Sequence, residues 1–241
     1  MKTDKKVSII IPAFNEEKYL YSALQSVERQ TFAPSNLEVI VVDNASTDRT
    51  AEVFHAFFKK KSISHLIVEE PILSPGRARN TGATRARGEV FLFLDADSKL
   101  SPQTVQCVYD GYKKGLLMGI IRIKADSSDK MANLFFDLIH FGKKLFHIAC
   151  HLGYCERNLF FEVGGFDPEI VHAEDLKFFT KVKKTLRKRG KDWGVIEDAS
   201  IFTSTRRMSR YPFKLGYLIT LLEWALCGLL SFNRRRYTPY R

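Results

Sequence analysis

The chain has 241 residues, of which 45% are hydrophobic, and it carries 38 Lys and Arg against 27 Asp and Glu, giving a formal net charge of +11. This composition excludes a disordered chain, and the length excludes a large multidomain assembly. The excess of positive charge leaves nucleic acid and an anionic membrane as candidate partners, because a total charge does not show where the charge lies.

The first half of the chain alternates short apolar runs with helical patterns, which is typical of βαβ units and a mainly parallel sheet. The apolar runs predict buried strands at residues 7–12, 37–42, 65–68 and 90–94. The helical patterns between them cover residues 16–30, 48–60 and 76–87. We expect Ser46 or Thr47 to cap the second of these helices. A further strand over 118–123 and a helix over 130–150 follow.

The positive charge is concentrated in two C-terminal stretches. Residues 177–191 hold eight Lys and Arg and no acid, and they overlap a pattern of apolar residues at three- and four-residue intervals that predicts a basic amphipathic helix. Residues 206–241 hold eight more Lys and Arg and one acid, Glu223, while the rest of the chain is mildly acidic. The charge therefore favours an anionic surface at one end over a nucleic-acid groove across the whole protein.

The residues from 206 onward form a separate region in this interpretation. Residues 215–232 are apolar apart from Glu223 and a few small polar residues, but the run is short of the ~20 residues that cross a bilayer. We expect one domain over residues 1–205 and a basic-flanked apolar helical extension over 206–241. This extension lies on a membrane, packs on the domain or forms an oligomer interface, and the sequence leaves the oligomeric state open.

The expected compartment follows from the cysteines and the N-terminus. The four cysteines include no CxxC pair, and the first apolar run is too short for the core of a secretory signal peptide. We expect a cytoplasmic protein with reduced thiols, attached peripherally to the cytoplasmic face of a membrane if the basic end binds lipid.

Polar residues follow three of the predicted strands at the edge where parallel sheets bind ligands. The first strand leads into Asn15 and Glu16, the second ends in Asp43, and the fourth ends in Asp95 and Asp97. Each acid taken alone fits a turn or a helix cap equally well.

The pair Asp95 and Asp97 says more, because two neighbouring carboxylates repel unless a cation or a proton relieves them. Oxygen ligands suit Mg²⁺ or Mn²⁺, which fill their remaining positions with phosphate and water. The sequence therefore predicts a divalent cation and a ligand that carries phosphate. The chain has no Walker loop and no GxGxxG, which argues against a P-loop NTPase and a dinucleotide oxidoreductase.

Four stretches in order give a more specific interpretation. They are VSIIIPAFNEEKYL at 7–20, LEVIVVDNASTDRT at 37–50, PGRARNTGATRARGEVFLFLDADS at 75–98 and FFEVGGFDPEIVHAEDLKFF at 160–179. With these motifs the chain resembles the inverting glycosyltransferases of family 2 over residues 7–205. The resemblance implies the GT-A fold, with a Rossmann-like, mixed but mainly parallel sheet flanked by helices.

The resemblance also implies roles for individual residues. The nucleotide pocket would be lined by Pro12, Ala13, Asn15 and Glu16, with Asp43 reading the base or ribose. The nucleotide would be flanked by Gly76, Arg79 and Asn80. Asp95 would lie near the ribose and the metal, with Asp97 as direct ligand of the Mg²⁺ or Mn²⁺ that bridges the diphosphate. Arg79 is almost as well explained as a helix-surface arginine.

Inversion requires a base that deprotonates the acceptor hydroxyl, and the family places it in an acidic pair that corresponds here to Glu174 and Asp175. We take Asp175 as the base and Glu174 as its neighbour or an acceptor contact. Acids at a helix N-terminus are also favoured by the helix dipole alone. Some relatives add a histidine as a further metal ligand after the base, and this chain has Arg206 and Arg207 in that region, where either can contact the diphosphate or flank the last helix.

The function expected from these features is metal-dependent, inverting transfer of a sugar from a nucleoside-diphosphate sugar to a hydroxyl. The acceptor is a sugar or a lipid-linked molecule, with an anionic membrane surface as a possible partner and no nucleic acid. Two alternatives are a catalytically silent relative that serves as a membrane-associated scaffold and, with less support, a basic nucleic-acid-binding protein. The sugar, the base and the acceptor stay open, since a fold does not select a substrate.

Overall fold

The computed structural model describes residues 5–145, 148–149, 153–170 and 174–206. Its strands are β1 (Lys5–Ala13), β2 (Leu37–Asp43), β3 (Ser64–Glu69), β4 (Gly88–Phe93), β5 (Ser98–Leu100), β6 (Met118–Ala125), β7 (Gly153–Glu156) and β8 (Gly194–Thr203). Its α-helices are α1 (Leu20–Glu28), α2 (Thr50–Phe58), α3 (Pro75–Arg85), α4 (Thr104–Lys113), α5 (Lys130–Leu145), α6 (Arg157–Glu162) and α7 (Glu174–Lys188). The strands form a single sheet in the order β3-β2-β1-β4-β7-β6-β8-β5.

The half of the sheet from β3 to β4 is parallel, as the βαβ pattern predicts. Its central strands are buried on both faces, because alternate residues of each strand enter different cores. Ile9 and Val39 pack in one core with α1, α2 and α4, while Ile10 and Ile40 pack in the other with α3, α6 and α7. Parallel order brings the carboxyl ends of β1, β2 and β4 to one edge, which is where their polar residues meet.

The other half makes the sheet mixed. β7 runs antiparallel to both β4 and β6, while β8 pairs parallel with β6 and antiparallel with β5. The sequence patterns did not predict β5, β7 or β8. Two of these strands have only three and four residues, which is too short for a periodic pattern to identify.

Some helix boundaries differ from those expected. α2 begins at Thr50, and the carboxylate of Asp48 accepts from the Thr50 N–H (2.9 Å), so neither Ser46 nor Thr47 caps it. α1 begins at Leu20 rather than at residue 16. The residues before each helix are needed in the loops at the sheet edge, where they form the contacts described below.

The α/β fold with a mixed, mainly parallel sheet is confirmed. The helix expected over 130–150 is described as far as Leu145, and the basic amphipathic helix is α7. Residues 207–241, with the predicted extension, lie outside the described residues. Within the described ranges, no helix has both the length and the apolar character needed to cross a bilayer.

Candidate functional site

The loops that follow β1 and β2 hold each other by hydrogen bonds. Asn15 Oδ1 accepts from the Thr47 N–H (2.8 Å), while the Asn15 N–H donates to Ser46 Oγ (3.0 Å). Asp43 Oδ1 accepts from the Ser46 N–H (3.0 Å). Asn15 has a φ of 53°, in the left-handed region that Asn tolerates better than most residues. Asn15 and Asp43, predicted from sequence as pocket residues, are therefore brought together at one sheet edge.

The remaining residues at the end of β1 are more buried. Ala13 is 1% exposed and offers only its main chain, and Pro12 pairs with Val42 in the sheet. The Glu16 N–H donates to Thr50 Oγ1 (2.8 Å), which ties the Glu16 loop to the start of α2. Burial raises the pKa of the Glu16 carboxyl, and hydrogen bonding by Arg206 opposes that rise.

Asp95 and Asp97 follow β4 and differ in their surroundings. The side chain of Asp95 is 43% exposed, whereas that of Asp97 is 16% exposed. Each carboxylate contacts a different arginine, Asp95 that of Arg79 and Asp97 that of Arg206. The two acids therefore reach the same edge but belong to separate ion-pair groups.

Arg79 joins the strand end to the acidic pair of α7. Its Nη2 donates to Asp95 Oδ1 (2.9 Å) and its Nη1 to Glu174 Oε1 (2.6 Å), with its side chain only 9% exposed. Burial favours the neutral guanidinium, but the charges of Asp95 and Glu174 outweigh it and raise the pKa of Arg79. Arg79 is therefore a buried residue of the site and not a helix-surface arginine. It bonds one acid after β4 and one acid at the start of α7.

Asn80 and Gly76, the two other residues predicted beside the nucleotide, lie against the segment that precedes α7. The Asn80 side-chain amide donates to the Phe166 carbonyl (2.8 Å) and accepts from the Phe166 N–H (2.9 Å). A Cβ on Gly76 would approach the Asp167 carbonyl oxygen at 3.3 Å. Both residues therefore hold α3 against the segment that leads to α7. The GGFD stretch was the sequence signal for this contact, because glycine permits the left-handed backbone that Gly165 adopts here, with a φ of 63°.

Glu174 and Asp175 form the first turn of α7, where the helix dipole stabilises negative charge. Glu174 is committed to Arg79, and its side chain is 12% exposed. Burial raises the pKa of Glu174, a rise that Arg79 opposes and the Asp175 charge reinforces. Asp175 has the same intermediate burial as Glu174 and also acts on the charge of Arg79, so both acids of the pair belong to the surroundings of this arginine.

Arg206 contacts the site from the other side. Its Nη1 donates to Glu16 Oε2 (2.9 Å), its Nε lies 3.1 Å from Asp97 Oδ2, and its guanidinium lies over the Tyr19 ring at 4.7 Å from the centroid. Burial lowers the pKa of Arg206, but the hydrogen bond to Glu16 and the charge of Asp97 outweigh it and raise that pKa. Tyr19 was not among the predicted site residues, and no sequence signal distinguished it from the other aromatic residues.

The donor set fits a hard divalent cation that takes part of its shell from other molecules. Asp95 and Asp97 supply carboxylate oxygens of the kind that Mg²⁺ and Mn²⁺ prefer. In the part of the chain that the structure describes, no three His, Cys, Asp or Glu side chains are grouped to enclose a metal. Arg206 already neutralises Asp97, so a positive charge is accommodated at this position.

Comparison with known proteins places this geometry in a context. The profile of the family described as Glycosyl transferase family 2 matches residues 8–156. Among curated proteins, the chain is 35% identical over 101 residues to the poly(ribitol-phosphate) beta-N-acetylglucosaminyltransferase TarS of Staphylococcus aureus, covering 42% of this chain and 18% of that protein. It is 37% identical over 91 residues to the glycosyltransferase AglE of Haloferax volcanii, covering 38% of this chain and 30% of that one.

Solved structures resemble the fold over more of the chain. The TarS 1–349 complex with UDP-GlcNAc has a TM-score of 0.70 at 23% identity, covering 83% of this chain and 58% of that one. The mannosyltransferase PcManGT of Pyrobaculum calidifontis, in complex with GDP-Man and Mn²⁺, has a TM-score of 0.66 at 20% identity, covering 90% and 64%. At these identities the likeness shows the GT-A type of fold alone. The chain spans less than two thirds of the length of each of these relatives.

Proposed function

Because this chain belongs to glycosyl transferase family 2, we propose that it transfers a sugar from a nucleoside-diphosphate sugar to a hydroxyl acceptor, with inversion at the anomeric carbon. One observation carries the proposal. Arg79 bonds Asp95 at the end of β4 and Glu174 at the start of α7, so the acids assigned to the donor and those assigned to the acceptor lie on either side of one guanidinium. An enzyme that joins two substrates has to hold its donor-binding groups and its acceptor-binding groups next to each other.

The donor is proposed to bind at the edge formed by the ends of β1, β2 and β4. Asp43 is proposed to read the base or ribose, with Pro12, Ala13, Asn15 and Glu16 as the remaining wall. TarS and PcManGT are described in complex with UDP-GlcNAc and GDP-Man respectively, which supports a nucleotide sugar without selecting one. Gly76, Arg79 and Asn80 are proposed to shape this wall by positioning the segment before α7.

Asp175 is proposed as the base that takes the proton of the acceptor hydroxyl. Glu174 is held by Arg79 and its side chain is 12% exposed, and Asp175 follows it in the first turn of α7. Burial raises the pKa of Glu174 and the charge of Arg79 opposes that rise, while the hydrogen bond between them fixes the first turn of α7. In this arrangement Glu174 positions Asp175 rather than exchanging the proton itself.

A divalent cation, Mg²⁺ or Mn²⁺, is proposed to bind Asp97 directly and to lie near Asp95. When bound, it stabilises the negative charge that develops on the departing nucleoside diphosphate. Arg206 is proposed to contact the diphosphate as well, since its guanidinium lies against Asp97 and Glu16 and its geometry suits phosphate oxygens.

The first test measures the melting temperature with UDP, GDP and dTDP in the presence of Mn²⁺. A ligand that binds the folded state raises the melting temperature, so we expect one nucleotide to raise it and the others to act weakly. No rise with any nucleotide would favour the catalytically silent scaffold and contradict donor binding.

The second test is the substitution Asp97→Ala, assayed for Mn²⁺-dependent hydrolysis or transfer of the donor identified above. We expect loss of at least ~100-fold in rate, by analogy with removal of one electrostatic group from other active sites. The matched control is Asp110→Ala on the exposed surface of α4, which should keep full activity. Unchanged activity of the Asp97 variant would exclude its role with the metal.

A lipid-linked or membrane-embedded acceptor is proposed from charge. α7 presents a run of cations after Asp175, and residues 206–241 add eight Lys and Arg around an apolar segment. Such a combination suits the anionic cytoplasmic surface of a membrane. We therefore propose peripheral attachment there, with transfer to an acceptor at that surface.

A further inference from the structure

Helix α5 carries its apolar residues on the outside as well as the inside. Its inner residues Ala132, Phe135 and Phe136 pack with Ile123 and Ala125 of β6. Five further apolar side chains of this helix, each between 43 and 64% exposed and spaced by three or four residues, form what we call the α5 stripe: Met131, Leu134, Leu138, Phe141 and Leu145. A continuous row of exposed apolar side chains of this kind marks a surface that binds a partner.

The polar residues of α5 do not cover the stripe, because they bond to the protein beside it. Asp137 accepts from Arg122 of β6 at 2.7 Å. His140 and Lys144 both contact the Glu197 carboxylate of β8, at 3.1 and 2.8 Å. The charged groups along the helix are thus paired laterally with the sheet, and the stripe is left facing outward.

The stripe continues into a pocket of about 670 Å³ beside α7, which we call the α7 pocket. Its apolar side consists of Ile148, Ala149, Leu176 and Phe179. Its polar side is almost entirely cationic and consists of Thr180, Lys183, Lys184, Arg187 and Lys188. Ile148 is 40% exposed and lines the pocket, and its N–H donates to the Lys143 carbonyl of α5 at 2.9 Å, so the pocket adjoins the end of α5.

We propose that the α5 stripe and the α7 pocket together dock this protein on the surface of an anionic lipid bilayer. The inference extends the membrane attachment proposed above, on which its purpose rests, from residues 206–241 to the described part of the chain. α5 has 16 residues and is therefore ~24 Å long, shorter than the ~30 Å hydrocarbon layer. Such a helix lies in the interface with its apolar side chains inserted, and neighbouring cations bind the lipid headgroups.

Charge separates this occupant from two others. A second copy of the chain would bring the same cationic α7 pocket toward itself across a symmetric contact, where like charges repel. In residues 206–241 of the same chain, eight Lys and Arg flank the apolar run at 215–232, so seating these flanks over the α7 pocket would place cation against cation. An anionic bilayer complements both the apolar stripe and the cationic pocket.

The test is flotation of the full chain with vesicles of phosphatidylcholine, with and without phosphatidylglycerol. The variant combines Leu138→Glu with Phe141→Glu, which places two charges in the exposed stripe. We expect its partition coefficient on anionic vesicles to fall at least about tenfold. The matched control is Leu66→Glu, an exposed apolar position on the edge strand β3, which should float like the parent.

A second variant tests the pocket. Replacing Lys184, Arg187 and Lys188 together with Gln should lower binding to anionic vesicles by about fivefold for each charge removed. Binding to phosphatidylcholine alone should change little. Equal flotation of this variant and the parent would remove the α7 pocket from the docking surface.

Donor binding distinguishes failure of this inference from failure of the proposed function. The stripe variant should keep the nucleotide-induced rise in melting temperature, since the stripe is not part of the candidate site. A stripe variant that floats like the parent overturns the inference. If its melting temperature also falls, the stripe is covered by protein and not by lipid. If the variant does not fold, Phe141→Trp in the full chain decides: absence of added quenching by brominated lipid overturns the docking.

Discussion

Arg77 and Arg79 lie two residues apart on α3 and each pairs with an acid from the segment around α7. Arg77 contacts Glu169 at 3.0 Å, but the Glu169 side chain is 67% exposed, so water competes for both charges. Arg79 is buried and bonded to two acids. At the scale of single residues, the exposure of an ion pair, and not the type of its residues, therefore decides how much it stabilises the fold.

The first prediction compares these two arginines by urea denaturation. Arg79→Ala should lower the free energy of unfolding by ~3–5 kcal/mol, because it leaves the buried Glu174 without its counter-charge. Arg77→Ala, as the matched control, should cost ~0–1 kcal/mol. Equal losses for the two variants would show that Arg79 does not hold the acids together.

Arg79→Lys separates positioning from stability. Lysine keeps the charge but cannot bond Asp95 and Glu174 with a planar fork. We expect a smaller loss of stability than for alanine, and a fall in the rate of transfer that exceeds any change in donor affinity.

A second prediction concerns Arg206, whose guanidinium contacts Asp97 and Glu16. A cation that binds Asp97 has to separate this ion pair. Arg206→Ala should therefore lower the Mn²⁺ concentration needed for a given rise in melting temperature when no nucleotide is present, by a few fold for the ~1 kcal/mol of a partly exposed pair. Weaker Mn²⁺ binding by the variant would mean that Arg206 assists the metal instead of competing with it.

At the scale of elements, α3 packs tightly on the sheet at Gly82. A Cβ at this position would come within 2.6 Å of the Ile10 methyl Cγ2 and 3.0 Å of the Val42 methyl Cγ2. The absence of a side chain lets α3 approach β1 and β2 closely enough for Arg79 to reach Asp95. Helix propensity alone would disfavour glycine here.

A third prediction follows from this close approach. Gly82→Ala should lower the free energy of unfolding by ~1–3 kcal/mol, because the added methyl group overpacks the core. Gly142→Ala in α5 is the matched control, since no atom lies within 4 Å of its added Cβ, and it should stabilise by ~0.5–1 kcal/mol. Chemical denaturation of both variants measures the difference, and stabilisation by both would contradict the packing at Gly82.

The elements also show how far sequence could predict this protein. The four parallel strands were predictable because each is an apolar run between helical patterns, and the acids at their ends follow from parallel order. The pairing of β7 between β4 and β6 was not, because four residues carry no periodicity and the pairing depends on distant chain segments. The acids of the site were predicted from the sequence. The bridge made by Arg79 was not, because Arg79 and Glu174 lie 95 positions apart in the chain.

At the scale of the whole molecule, charge of opposite sign is segregated. The candidate site is lined by Glu16, Asp95, Asp97 and Glu174. Cations are concentrated on α7 and in residues 206–241. Because Arg79 and Arg206 are paired with these four acids, the site has no excess of positive charge for a nucleic-acid backbone, which argues against the nucleic-acid-binding alternative.

A fourth prediction tests this segregation with salt. Raising the salt concentration from ~0.1 M to ~1 M shortens the screening length from ~10 Å to ~3 Å. Flotation with anionic vesicles should fall steeply, whereas nucleotide binding in saturating Mn²⁺ should change little, because direct coordination at short range is screened less. Equal salt dependence of the two measurements would indicate that both ligands use the same cations.

Only Ser204 and Thr205 separate the last residue of β8, Thr203, from Arg206. Thr203 is itself paired with both β5 and β6, so the Arg206 backbone starts two residues beyond a fixed point, and a change of side-chain rotamer is enough to separate its guanidinium from Asp97. A phosphate that replaces Asp97 as the partner of Arg206 would therefore leave the pairing of β8 with β5 and β6 intact.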